Sequence, residues 1–128
     1  MTENKVSEFE IKEADNYLRG YALNMKLLRL DRYERTYFGY RDNEDNTAFN
    51  DAPLARARMF EIRHFIMEMQ NSDEKLLLYY HYIRCESVEK CAELLGISRS
   101  SGFRLKKRAL MMAARKMSGA ATHAQEPA

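Results

Sequence analysis

The residues of this 128-residue chain that could do chemistry gather between positions 97 and 117. Arg99, Arg104, Lys106, Lys107, Arg108, Arg115 and Lys116 stand there without an acid, a local balance of +7. Such a cluster suits a polyanion: Lys and Arg neutralise phosphates whatever the sequence, and an Arg fork can also pair with the edge of guanine. The charge is local. Residues 1–52 carry eight Lys/Arg against eleven Asp/Glu, and the whole chain is only +2.

Catalytic chemistry finds no comparable set. No Ser-His-Asp combination, phosphate-cradling Gly loop or metal-ligand spacing occurs, so the expectation is a binding protein, not an enzyme, with no metal or cofactor. His64 and His81 fall on different expected helices and read as surface or packing residues. Asp42, Glu44 and Asn46 alternate as in a calcium loop, but Thr47 stands where that loop needs Gly and Pro53 where it needs a bidentate acid. Cys85 and Cys91 read as free thiols, because no export signal or bilayer-length apolar run is present and a cytoplasmic, non-membrane protein is expected.

The basic cluster follows the pattern Ser87-Val88-Glu89-Lys90-Cys91-Ala92-Glu93-Leu94-Leu95-Gly96-Ile97-Ser98-Arg99-Ser100-Ser101-Gly102-Phe103-Arg104-Leu105. Ser87 is placed to cap a short helix, and Ala92 is small where a second helix would cross it. Gly96 supplies a left-handed stop, Ile97 is expected to plug the corner from inside, and Ser98 caps the next helix. A short helix, a turn containing Gly and a basic second helix make a helix-turn-helix, whose second helix enters the major groove of duplex DNA. On that helix Gly102, Leu105, Ala109 and Met112 are expected inward. Arg99, Ser100, Phe103, Arg104 and Lys107 are the candidates for base-edge contact, and Lys90, Lys106, Arg108 and Arg115 the candidates for phosphate contact.

Those elements need a body to hold them. Few Gly and Pro and an abundance of Leu, Ala, Met, Glu, Lys and Arg predict an all-α protein of about five helices, an N-terminal pair followed by the C-terminal helix-turn-helix. From Val6 to about Phe38, the residues Ile11, Ala14, Leu18, Tyr21, Met25 and Leu28 form a heptad stripe, which suits either an intramolecular core or the seam of a homodimer through residues 11–28. Gly20 interrupts that helix unless close packing uses its missing side chain. An acidic loop is expected over 39–53, a second helix from Pro53 or Leu54 to about Gln70, and a third from Glu74 to Arg84 after the capping run Asn71-Ser72-Asp73. Tyr79, Tyr80 and Tyr82 follow helical spacing and read as packing residues before a stacking platform. The expected division is therefore 1–70 for assembly or partner contact, 71–117 for the helix-turn-helix, and 118–128 as a disordered tail.

Residues from about Asp73 to Met117 resemble a sigma-factor region-four-type helix-turn-helix. The resemblance is carried by Leu77, Leu78, Tyr80 and Ile83, then Ser87-Val88, then Ala92-Leu95-Gly96-Ile97-Ser98-Arg99-Ser100, and covers about a third of the chain. One residue departs from it: that family usually has a β-branched residue where Gly102 stands, leaving a gap for Phe103 or Leu105 to fill. The whole-chain layout resembles small phage-encoded transcriptional regulators of the ArpU/RinA type. These resemblances imply a phage or prophage regulator that binds duplex DNA. The alternatives are a module docking on RNA polymerase or another regulator, and a DNA-packaging accessory protein.

Overall fold

A computed structural model describes residues 6–38 and 47–125, giving the backbone alone for 47–51 and 120–125. Among the described residues the protein is all-α, with five helices and no strand. They are α1 (Glu8–Phe38), α2 (Thr47–Met67), α3 (Ser72–Leu78), α4 (Val88–Leu95) and α5 (Arg99–Gln125), with a π-helical turn, Tyr79–Ile83, continuing α3. None of them is long and apolar enough to cross a membrane.

Local chemistry starts α1 and α3. Ser7 and Glu10 form a reciprocal capping box at the head of α1, the Ser7 hydroxyl accepting from the Glu10 amide at 3.1 Å and the Glu10 carboxylate from the Ser7 amide at 2.9 Å. Asn71 caps α3 by accepting from the Glu74 amide at 3.0 Å. Helix α2 starts earlier than its sequence suggests. Residues 47–53, expected in the acidic loop, are helical, and Pro53 lies inside α2, where it leaves the carbonyl four residues back without its usual donor. The rest of that loop, residues 39–46, lies outside the described residues.

The heptad stripe of α1 is spent inside the chain. Ala14, Leu18 and Tyr21 are buried, with Ile11 and Met25 packed beside them, against Ile62, Ile66 and Met69 of the α2 region and against α5. Of the two uses its spacing allows, the stripe from Ile11 to Met25 thus serves the intramolecular core. Gly20 serves the same packing, since a Cβ there would stand 3.3 Å from the Ile62 Cδ1.

The third helix departs from an ordinary α-helix after Leu78. The Arg84 amide reaches back five residues to the Tyr79 carbonyl at 3.0 Å, so residues five apart come into line. Leu77 with Tyr82, and Leu78 with Ile83, are such pairs, and all four are buried. Of the three tyrosines read as packing residues, Tyr82 is buried, while Tyr79 and Tyr80 are half-buried. The turn closes on Cys85 at φ 60°, a left-handed conformation that costs a residue with a Cβ roughly 1–2 kcal/mol.

Helix α5 does not stop where a tail was expected. It continues through Ser118 to Gln125; Ala120, Ala121 and Ala124 are good helix formers and no Pro intervenes before Pro127. Residues 126–128 lie outside the described residues. Its buried side is Leu105, Ala109, Leu110, Ala113 and Ala114, while Met112, expected inward, is exposed.

Candidate nucleic-acid interface

Three hydroxyls and a glycine shape the corner and the helix that follows it. The Ser87 hydroxyl accepts from the Lys90 amide and the Ser98 hydroxyl from the Ser101 amide, each at 3.1 Å, opening α4 and α5. Between them Gly96 sits at φ 73°. Its amide donates to the Glu93 carbonyl at 3.1 Å while the Ile97 amide donates to Ala92 at 2.9 Å, the paired bonds of a Schellman stop. The third hydroxyl, Ser101, accepts from Arg104 at 3.2 Å. The corner is not plugged by Ile97, whose side chain is exposed.

The two helices meet at a contact that only small residues permit. Gly102 is buried, and a Cβ built on it would lie 2.8 Å from the Ala92 Cβ and 3.6 Å from a Val88 methyl. There is thus no gap for Phe103 or Leu105 to fill. Phe103 is exposed and Leu105 belongs to the core.

At about 100° per residue, this crossing directs Arg99, Ser100, Phe103, Arg104 and Lys107 to one side of the first turns of α5, and all five are exposed. Arg99 lies with its guanidinium carbon 5.7 Å from the centre of the Phe103 ring, within cation–π reach. The bond from Arg104 to Ser101 holds the Arg104 fork beside the helix start. The base-contact candidates thus share one surface.

The expected phosphate contacts do not. Lys90 is exposed on α4, 3.5 Å from Glu93. Lys106 is half-buried, and its charge is felt by Asp15, His81 and Cys91 on the inner side of the fold. Arg108 donates to Glu74 at 3.1 Å; the Glu74 side chain is only 6% exposed and Arg108 58%, so this arginine ties α5 to α3. Arg115 lies about four turns beyond Arg99, beside the Met112 sulfur.

Two acids near the surface escaped the sequence reading. Glu93 lies beside Lys90, and Glu89 accepts from Arg99 through Nε at 3.2 Å and Nη2 at 3.1 Å. Its own backbone amide, with help from Arg99, holds the Glu89 carboxyl below the ordinary carboxylate range. Counting charge along α5 alone could not find them, because they come from α4; the exposed positions of an amphipathic α4 were the available signal.

A part-buried polar link joins α1 to the π turn. Tyr82 donates to Asp15, which also accepts from Arg19 at 2.8 Å. Burial pushes the Asp15 carboxyl up, but the Tyr82 and Arg19 hydrogen bonds outweigh it and hold the carboxyl below its usual value. His81 lies with Nδ1 2.7 Å from the Glu86 carbonyl oxygen. A carbonyl can only accept, so Nδ1 carries the proton. Burial, reinforced by Lys106 and Arg19, lowers the His81 pKa despite that bond and the nearby Asp15.

No protein-family model matches this chain, and no curated protein or solved structure does. Among the described residues no three His, Cys, Asp or Glu side chains cluster as a metal site.

Proposed function

We propose that this protein is a non-enzymatic, sequence-specific duplex-DNA-binding regulator of transcription that acts in the cytoplasm, of the kind encoded by phages and prophages. The observation that carries the reading is the Gly102–Ala92 crossing, which projects Arg99, Ser100, Phe103, Arg104 and Lys107 from the first turns of α5. In a helix-turn-helix, those turns are the ones that reach base edges. Arg104 would supply a bidentate guanine contact and Phe103 an apolar contact to a thymine methyl. Lys90 would meet phosphates, and Arg99, once released from Glu89, would join the base-edge contacts.

A second reading is favoured by one specific observation. Arg99 is paired with Glu89 and Lys90 with Glu93, so the exposed corner is of mixed charge, as suits a protein partner such as RNA polymerase.

Selection of random duplex DNA against the purified protein at about 150 mM salt, with Arg99→Ala/Arg104→Ala as control, separates the two, because salt suppresses purely electrostatic binding. A motif enriched by the native chain and lost by the control is expected. No enrichment would overturn the DNA reading in favour of the protein partner.

A further inference from the structure

The second half of α1 is apolar on two opposite sides. One side, with Tyr21 and Met25, faces the core. The other carries Leu23, Leu27, Leu30, Tyr33 and Tyr37, which at about 100° per residue form a stripe roughly 120° wide, diametrically opposite the first. These five side chains are 46 to 67% exposed. The Tyr33 and Tyr37 rings already lie against each other, with centroids 4.6 Å apart. The side with Tyr21 and Met25 is covered by the core, whereas among the described residues the outer stripe is bordered only at its start, where Leu23 and Lys26 line a groove with His81, Tyr82 and Cys85. Contiguous exposed apolar surface of this kind marks an interaction site.

The order of residues on the stripe identifies what covers it. Around Leu30 the face is its own complement: Leu27 and Tyr33 lie three residues to either side, Lys26 and Glu34 four, and Leu23 and Tyr37 seven. Lys26 and Glu34 are the charges that interrupt the stripe; both are exposed, and neither has an ion-pair partner among the described residues. A two-fold axis through Leu30 sets a second α1 antiparallel to the first. Leu23 then meets Tyr37 of the second copy, Leu27 meets its Tyr33, Leu30 meets Leu30, and Lys26 meets Glu34 twice. A parallel copy would instead oppose Lys26 to Lys26 and Glu34 to Glu34, and an unrelated partner would require no such palindrome.

We propose that this protein forms an isologous homodimer through an antiparallel pairing of the outer face of α1, residues Leu23 to Tyr37, centred on Leu30. The seam is on the opposite side of the helix from the heptad stripe that builds the core. It is independent of the DNA reading, since it can be measured without DNA.

Sedimentation equilibrium of the full chain tests it. The native protein is expected to be dimeric in the micromolar range. Lys26→Glu and Glu34→Lys should each weaken the dimer by about tenfold or more, since each puts two like-charge contacts into the seam. An equimolar mixture of the two variants should recover the dimer, because one copy then carries acids at both positions and the other carries lysines at both, so that each seam contact again joins opposite charges. The double variant Lys26→Glu/Glu34→Lys should recover the dimer alone. Both positions are exposed, so circular dichroism should show unchanged helix in every variant. A native chain that stays monomeric, a dimer indifferent to both reversals, or a mixture that fails to recover would each overturn the proposal.

Discussion

The Ala92 Cβ stands 2.8 Å from where a β-carbon on Gly102 would lie, so the angle between α4 and α5 is set by the absence of a side chain. Gly102→Ala gains up to about 1 kcal/mol of helix propensity but forces two rigid groups together, at an overpacking cost of roughly 1–3 kcal/mol. With the full propensity gain, the net expectation is destabilisation by up to about 2 kcal/mol in urea unfolding. Adding Ala92→Gly should recover at least half of the clash. Additive losses in the double-mutant cycle would mean that the contact does not set the crossing.

Arg104 and Lys106 are two residues apart but occupy different environments, one on the exposed corner and one half-buried. Arg104→Ala should reduce discrimination between the preferred site and random duplex by roughly 1–3 kcal/mol in competition binding. Lys106→Ala should leave the slope of affinity against salt unchanged, contrary to what its place in the sequence suggests. A flattened slope would return Lys106 to the phosphate contacts.

Glu89 restrains Arg99. Removing that carboxylate with Glu89→Gln should tighten DNA binding by about 3- to 10-fold at low salt and steepen the salt dependence, as a cation is freed and a repulsive charge removed. Unchanged or weaker binding in a fluorescence titration would instead give the pair a positioning role.

The tie between α3 and α5 has unequal ends. Arg108→Ala strands the buried Glu74 carboxylate. The expected cost is about 1–2 kcal/mol, below that of breaking a fully buried pair because the arginine is more than half exposed and screened by water. Thermal unfolding of Arg108→Ala should show it. The second substitution Glu74→Gln on that background should restore part of the loss, as it removes the stranded charge.

His81 and Asp15 predict separate pH effects. The folded pKa of His81 is below its unfolded value of about 6.5, so the unfolded chain binds the extra proton first. Its contribution is complete above pH of about 6.5 and is lost as pH falls through the lowered folded value. The groups facing it are Lys106 and Arg19, which oppose its protonation, and Asp15, which favours it. Asp15, also lowered, loses its contribution only in stronger acid, below about pH 4. Urea midpoints should therefore decline in two stages, and His81→Gln should remove the upper one while sparing the lower.

What was legible in the sequence was what local rules decide. Ser87, Gly96 and Ser98 shape the corner through bonds to residues within five positions, and the inward stripe of α1 follows from spacing alone. The π turn was not legible, because an α-helical reading of Tyr79 to Ile83 is equally good until the core demands both Tyr82 and Ile83. The start of α2 is not legible, because the residues before Pro53 belong to an Asn- and Asp-rich run without apolar periodicity and Pro53 itself suits a first helical position. For the site, the outward face of α5 could be read from its period. The removal of Lys106 and Arg108 could not, since each is claimed by groups distant in sequence, near Asp15 and at Glu74. Gly102 was read as a deficit because its counterpart, Ala92, could be matched to it only once the helices were placed.

Helix α5 is unbroken from Arg99 to Gln125, about 40 Å of continuous rod, and it packs against α1, α3 and α4 along the way. The exposed residues of its first turns and the body therefore share one shaft without a joint between them. Under the proposed DNA-binding function, a signal that reaches the N-terminal helices could not swing a separate head; it would act only by placing or tilting the whole molecule, or by setting how two copies are spaced.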